Sequence, residues 1–390
     1  MLKTFRKGIL TAAAAVLGAA LLGGCGSGTR ASDGLVHLNF QIWDNAQRGG
    51  MEAVARAYMD KNPEVEIQVQ VTSWDEYWTK LEAAAESGQL PDIFWMHTNQ
   101  ILKYADYGKL EDVTDLYDDV EPDYYTSHFS DISLANARGS DGRMYGVPKD
   151  KDTVCLVYNK EMFDAAGVAY PDESWTWDDL TSASAQIYER TGKYGYMAYA
   201  DEQLGYWNFV YQAGGYILNE DKTRAGFLDS GTRKAMEFYI GLQKEPWCPD
   251  QNYFAETAPG NAFMSEQGAM YLEGNWNLIS FMENNKEMIG KWDVAVLPKC
   301  PDPVRGDGRA TISNGLCYST GAKGKKLEYA RDFLKFAGSE EGQRVQGLSG
   351  AAIPAYKGLE DTWISAFDQY DYKLDVQKCV DMFPYGVQRV

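Results

Sequence analysis

Between Val36 and Met96 the hydrophobic pattern switches back and forth between a period of two and a period near 3.6, and this constrains the fold more than any other feature. Val36 to Trp43 (VHLNFQIW) alternates apolar and polar residues and predicts a strand. Met51, Val54, Ala55, Tyr58 and Met59 then fall at i, i+3, i+4, i+7 and i+8, the stripe of an amphipathic helix. Asn62-Pro63 stops that helix, because the residue before a proline is pushed out of helical geometry. Val65 to Val71 (VEIQVQV) alternates again, Thr79 to Ser87 is helical up to Gly88, and Asp92 to Met96 (DIFWM) is a third strand. This β-α-β-α-β order predicts a parallel sheet covered by helices. Ligands of such sheets sit beyond the carboxyl ends of the strands. Here those ends are Trp43-Asp44, Ser73-Trp74 and Trp95 to Asn99, each with a tryptophan.

The rest of the chain continues the mixture. Tyr145 to Pro148 marks a change of region, and Asp152 to Asn159 (DTVCLVYN) is a strand with a continuous apolar run. Thr176-x-x-Asp179 is a capping box opening a helix from Asp178 to Arg190. After the Gly214-Gly215 turn, Thr232 to Lys244 has helical spacing, and Gly268 to Tyr271 and Trp292 to Leu297 are strands. Pro298 to Arg309 is a polar loop, Thr311 to Thr320 a strand, and Glu328 to Gly338 and Glu340 to Leu348 are helices.

Lys3, Arg6 and Lys7 precede the apolar run Ile9 to Leu22, which ends in Leu22-Gly23-Gly24-Cys25. That layout reads as a secretory leader, residues 1–24, and the run is too short for a comfortable membrane span. Leu-Gly-Gly-Cys resembles the bacterial lipobox, which makes Cys25 the lipidated first residue of the mature chain, with residues 25–35 as its tether. The net charge of -19 argues against nucleic acid, since phosphate binding needs clustered Lys and Arg. Cys155, Cys248, Cys300, Cys317 and Cys379 are thinly spread with no C-x-x-C, so neither a disulfide framework nor a thiolate zinc site is expected. Cys155 and Cys317 read as buried free thiols. The three histidines, His37, His97 and His128, form no metal motif, and no cofactor is expected. Aromatic residues make up 13%, with 11 Trp and 26 Tyr, a surplus that fits a cleft stacking flat faces on something both apolar and hydroxylated.

Several segments, in order, carry a specific resemblance. They are IWDNAQRGG, PDIFWMHTNQILKYADYGKLEDVTDL, and YGVPKDKDTVCLVYNKEMFDAAGV followed by ESWTWDDL. Then come FMSEQGAMYLEGNWN with VAVLPK, TISNGLCYS, and FLKFAGSEEGQ before AAIPA. Together they resemble the extracellular sugar-binding proteins of ABC importers, the family that includes maltose-binding protein. The resemblance implies an α/β, two-lobed, periplasmic-binding-protein-like fold, each lobe an open sheet covered by helices, with the ligand cleft at the hinge. Residues 36–148 plus 310–350 would make lobe one, and 149–309 plus 351–390 lobe two. The final Phe383 to Val390 stops where the family pattern continues into another helix, so lobe two is expected to be truncated.

A sugar presents C-H faces and a rim of hydroxyls, so binding it takes aromatic planes and bidentate polar groups. Lobe one offers Trp43, Asp44, Gln47, Trp74, Trp95 and Asn99, although a helix N-cap role competes for Asp44. Asp152 matches a position where relatives place an acidic hydroxyl acceptor, with Asp150 as competitor. Lobe two offers Trp207, before the Gly-Gly turn, and Trp276, which looks like the family's stacking tryptophan. The resemblance implies no catalysis: a monomer closes on its carbohydrate, is recognised by ABC permease subunits, and is held at the outer membrane face through Cys25. The alternatives are a carbohydrate sensor, a binder of a non-sugar solute, and a lipid-anchored glycoside hydrolase. The last needs two carboxylates about 5 to 10 Å apart across the scissile bond.

Overall fold

The structure, a computed structural model, describes residues 34–388, of which those from Val36 onward form one compact unit. The leader, Cys25 and nearly all of the expected tether lie outside the described residues.

The alternating N-terminal pattern becomes β1 (Val36–Ile42), β2 (Val65–Val71) and β3 (Ile93–His97), with β1 central and parallel to both neighbours. Leu38, Phe40 and Ile42 of β1 and Val65, Ile67 and Val69 of β2 are buried, while the residues between them reach outward. The helices Arg48–Met59 and Trp74–Ser87 connect these strands. The second begins more than a turn before its predicted start at Thr79, and Gly88 ends it in the left-handed conformation at φ +69°. The sheet is mixed rather than purely parallel. β4 (Val147–Pro148) and β10 (Leu316–Ser319) complete the order β2-β1-β3-β10-β4, with β10 antiparallel to β3. Both arrive from distant parts of the chain, so no local period announces them.

The other lobe is built on β5 (Val154–Asn159), β6 (Tyr194–Tyr196), β7 (Gly268–Gly274) and β8 (Trp292–Ala295), in the order β6-β7-β5-β8. Val154, Leu156 and Tyr158 of β5 enter one hydrophobic core, and Cys155 and Val157 enter another on the opposite face. Helices Lys160–Ala166, Trp177–Thr191 and Ser230–Leu242 cover the first face; Pro259–Met264, Leu278–Asn284 and Glu360–Ala366 cover the second. Burial on both faces is why β5 reads as an unbroken apolar run.

The stretch Thr311–Thr320, expected as one strand, is two. β9 (Thr311–Ser313) pairs in parallel with β11 (Gly386–Gln388), and β10 joins the other lobe's sheet. Asn314-Gly315 is the break. A Cβ on Gly315 would lie 2.6 Å from the Asp150 carbonyl oxygen, so only glycine permits that approach. The chain also passes between the lobes at Lys149–Asp152 and near Ile353, and these passages are stitched together. The Lys149 N–H donates to the Leu316 carbonyl, Lys151 to Ile353, Asp152 to Asn314 and Ala355 to Lys149. No helix among the described residues is long and apolar enough to cross a membrane.

The Thr176 capping box is present in full: the Thr176 hydroxyl accepts from the Asp179 N–H, and the Asp179 carboxylate accepts from the Thr176 N–H at 2.8 Å. Thr176→Ala removes both bonds of the hydroxyl, which also donates to the Asp179 carboxylate at 2.7 Å, and should lower unfolding stability by about 1 kcal/mol, read as a fall in the urea midpoint at constant slope.

Candidate functional site

A cleft of about 670 Å³ opens where the stitched passages meet the ends of β1, β3 and β7. Its lobe-one wall is aromatic. Trp43 follows β1, and its ring meets Trp74 edge-on at 5.2 Å, Tyr77 at 5.0 Å and Trp95 at 5.1 Å. Trp74 and Trp78, one helical turn apart on Trp74–Ser87, pack edge to face at 5.4 Å. Trp74 keeps 41% of its surface exposed and presents it to the cleft, together with parts of Trp43 and Trp78. His97 closes β3 and caps the helix Thr98–Asp106 by accepting the Asn99 N–H on its ring, which leaves Asn99 on the cleft rim.

The floor is a buried charge network. The Lys149 ammonium has no solvent exposure, donates to Asp150 at 2.6 Å and Gln47 at 2.8 Å, and lies 4.4 Å over the Trp95 ring. Gln47 in turn donates to Asp44 at 3.0 Å, and Asp150 accepts the Leu316 N–H at 2.7 Å. Asp44 is not the helix N-cap. Gln47 holds that position, and the Asp44 carboxylate instead accepts the Ala46 N–H at 2.8 Å. Asp152 accepts the Asn314 N–H at 2.5 Å and a weaker bond from Gln203 at 3.3 Å.

Lobe two contributes the end of β7 and an irregular turn. Trp276 stands half-buried after Gly274, where an added Cβ would fall 2.2 Å from its ring. Glycine at 274 therefore lets the indole lie against the backbone and turn its other side to the cleft. Beneath it Glu273 accepts from the Tyr271 hydroxyl and the Asn277 amide, each at 2.9 Å, and from the Gly274 N–H at 2.8 Å. Burial raises the Glu273 carboxyl above its ordinary range despite these bonds. Asn275 lines the cleft, accepts the Thr153 N–H on its oxygen, and has a buried Nδ2 with no protein partner. Asp201, Gln203 and Leu204 reach the cleft from the irregular turn Glu202–Tyr206 and the residue before it.

Of the candidates named from sequence, Trp43, Asp44, Gln47, Trp74, Asn99, Asp152 and Trp276 line this one cleft. Two do not. Trp95 has no exposed surface, because β3 lies between β1 and β10 and Trp43 covers its ring. It supports the cleft wall from below. Trp207 opens the helix Trp207–Gln212 and is buried, because the non-helical backbone at Leu204 and Gly205 turns the preceding residues toward the cleft instead. Sequence reasoning missed Trp78, His97, Lys151, Asp201, Gln203 and Asn275. Trp78 was recoverable from its i+4 spacing to Trp74, whereas the Glu202–Tyr206 turn carries no local signal. Among the described residues no group of three His, Cys, Asp or Glu side chains could hold a metal ion.

A family model described as bacterial extracellular solute-binding protein matches residues 53–368. A Brucella abortus relative is 24% identical over 267 residues, 67% of this chain and 62% of its own length. An arabinooligosaccharide-binding protein of Halalkalibacterium halodurans is 27% identical over 247 residues, 60% of this chain and 52% of that protein. The chain thus covers less than two thirds of these curated relatives. Among solved structures, an ABC substrate-binding protein from Listeria monocytogenes in complex with cycloalternan superposes with a TM-score of 0.78 at 22% identity, covering 91% of this chain and 88% of that one.

Two variants probe the site without any ligand. Lys149→Met leaves Asp150 buried without its cation and should cost roughly 3 kcal/mol in urea unfolding, far more than removal of a surface lysine. Glu273→Gln tests the raised carboxyl. A group whose folded pKa is raised supports the fold below its unfolded pKa and loses that support as pH rises through the folded value. The parent should therefore lose stability relative to the variant from the ordinary carboxylate range upward, a trend visible in unfolding free energies measured from pH 4 to 8. A constant difference across that range would refute the assignment.

Proposed function

This chain belongs to the bacterial extracellular solute-binding proteins, and from that membership we propose that it captures a sugar or oligosaccharide between its lobes and delivers it to the permease of an ABC importer. The observation that carries the proposal is the pairing across one cleft. Trp74 and Trp43 expose ring faces on one side, Trp276 stands on the other, and Asp44, Asn99, Asp152 and Asn275 form a polar rim between them. Indole faces match C-H faces of a pyranose, and the rim groups match its hydroxyls. The Nδ2 of Asn275 is a buried donor beside the cleft without a protein acceptor. The relatives are named for binding rather than for a reaction, and one for binding an arabinooligosaccharide, which supports a carbohydrate over other solutes and a receptor over an enzyme.

The proposed mechanism is hinge closure about the stitched passages. A ligand seated on the lobe-one wall stabilises the closed state only by what it gains from Trp276, Asn275 and the Glu202–Tyr206 turn. The Leu22 to Cys25 motif supports a lipid anchor at Cys25, which would keep the receptor, as a monomer, beside its permease.

A thermal-shift screen of the chain against mono- and oligosaccharides tests the reading, because a ligand bound only by the native state raises Tm by mass action. One glycan class should raise Tm and survive incubation unhydrolysed. Trp276→Ala should then weaken that ligand about fivefold to 150-fold by titration calorimetry, the ~1 to 3 kcal/mol of a buried aromatic contact. Gly274→Ala, which displaces the same ring, should fall in the same direction. Parent-like affinity in both variants would remove Trp276 from the site.

A further inference from the structure

The sulfurs of Cys155 and Cys379 lie 2.7 Å apart, and neither residue has any exposed surface. A disulfide bond is about 2.05 Å long, so less than about 1 Å of approach separates this pair from a covalent bond. The contacts of the Cys317 and Cys248 sulfurs are wider and go to oxygen. Cys317 lies 3.7 Å from the Met96 carbonyl and 3.9 Å from the Ser319 hydroxyl, and Cys248 lies 3.4 Å from the Pro249 carbonyl. Cys155 belongs to β5, the strand paired on both sides in lobe two, and Cys379 to the short helix Gln377–Val380. The contact is held by a neighbour: the Thr153 hydroxyl donates to the Cys379 carbonyl at 2.7 Å.

We infer that Cys155 and Cys379 are joined by a disulfide in the secreted protein, a covalent site that fastens the C-terminal segment to the central strand of lobe two. The inference uses the extracellular compartment that family membership supplies, where disulfides persist, and does not depend on what the cleft binds. The oxidant required is a low-molecular-weight disulfide in the surrounding fluid. One cysteine thiolate attacks it, forming a mixed disulfide and expelling one small thiolate. The second cysteine thiolate then attacks the protein sulfur of that mixed bond and expels the other. The two cysteines lose two electrons and two protons, and the small disulfide becomes two small thiols. Burial and the neighbouring Cys155 hold the Cys379 thiol well above its ordinary range in the folded state, so the exchange belongs to the folding chain, before the core closes over it. The bond spans 224 residues of sequence, a separation at which a cross-link constrains the unfolded chain strongly.

The test is peptide mapping by mass spectrometry on the full chain secreted without reductant, incubated with oxidised glutathione during refolding, then denatured and treated with iodoacetamide. The expected result is a linked peptide pair containing Cys155 and Cys379, with Cys248, Cys300 and Cys317 alkylated. Refolding in reductant should lower Tm by roughly 5 °C, and Cys379→Ala should abolish that sensitivity to reductant. Full alkylation of both Cys155 and Cys379, or linkage of either to a different cysteine, would overturn the inference.

Discussion

The buried ammonium of Lys149 is the interaction around which the two lobes are organised. It lies at the point where the chain first leaves the lobe-one sheet, and its partners come from separate parts of the fold: Gln47 at the start of a helix, Asp150 on the passage itself, and the Trp95 ring on β3. Its backbone adds three more ties, the N–H donating to the Leu316 carbonyl and the carbonyl accepting from the Gln346 amide at 2.9 Å and the Ala355 N–H at 3.3 Å. A charge without solvent costs several kcal/mol unless it is paired and hydrogen-bonded, so the sequence can keep Lys149 only if all these elements converge. Asp150 then holds the Leu316 N–H and so positions β10. The cleft floor is in this sense the place where the fold's least replaceable polar contacts are concentrated.

The two walls are made stiff by different means. On lobe one a cluster of four tryptophans and Tyr77, packed edge to face apart from the tilted Trp43–Trp78 pair, fixes each ring against its neighbours, and the Tyr77 hydroxyl donates to the Trp95 carbonyl at 2.5 Å. On lobe two a single indole is fixed by the missing side chain of Gly274, while the buried Glu273 anchors the turn beneath it through three accepted bonds. Burying that carboxyl carries a free-energy penalty when it ionises, yet it pins the residues from Gly274 to Asn277 to the end of β7.

Local patterns exposed much of this and non-local ones exposed little. β1, β2 and the apolar run of β5 were legible because period and burial are written in consecutive residues. The break at Asn314-Gly315 was not, since Thr311 to Thr320 is buried throughout and the reason for the break is the Asp150 backbone, far away in sequence. The tryptophans show the same divide. Trp43 and Trp74 were legible as strand-end residues, but Trp95, in the middle of β3, is covered by Trp43 and by the Lys149 ammonium, contacts that no local window contains. Trp207 is buried away from the cleft lining because Leu204 and Gly205 depart from helical geometry, with no proline to announce it. Cysteine spacing likewise gives no sign that Cys155 and Cys379, 224 residues apart, meet in the core.

The asymmetry of the walls has a consequence for the proposed hinge. A ligand resting on the aromatic wall alone gains the same contacts whether the lobes are open or closed, and such contacts add affinity without shifting the equilibrium. Only the groups of lobe two distinguish the states. Asn275 matters most among these, because its oxygen is already committed to the Thr153 N–H on the passage while its Nδ2 has no protein partner. A ligand oxygen accepting from that amide would satisfy a buried donor left unmet in its absence, and the same side chain would transmit the contact directly to the backbone about which the lobes turn. On the proposed function, recognition and closure are thus joined in a single side chain, with Trp276 beside it supplying the apolar contact that makes the closed state the lower in free energy.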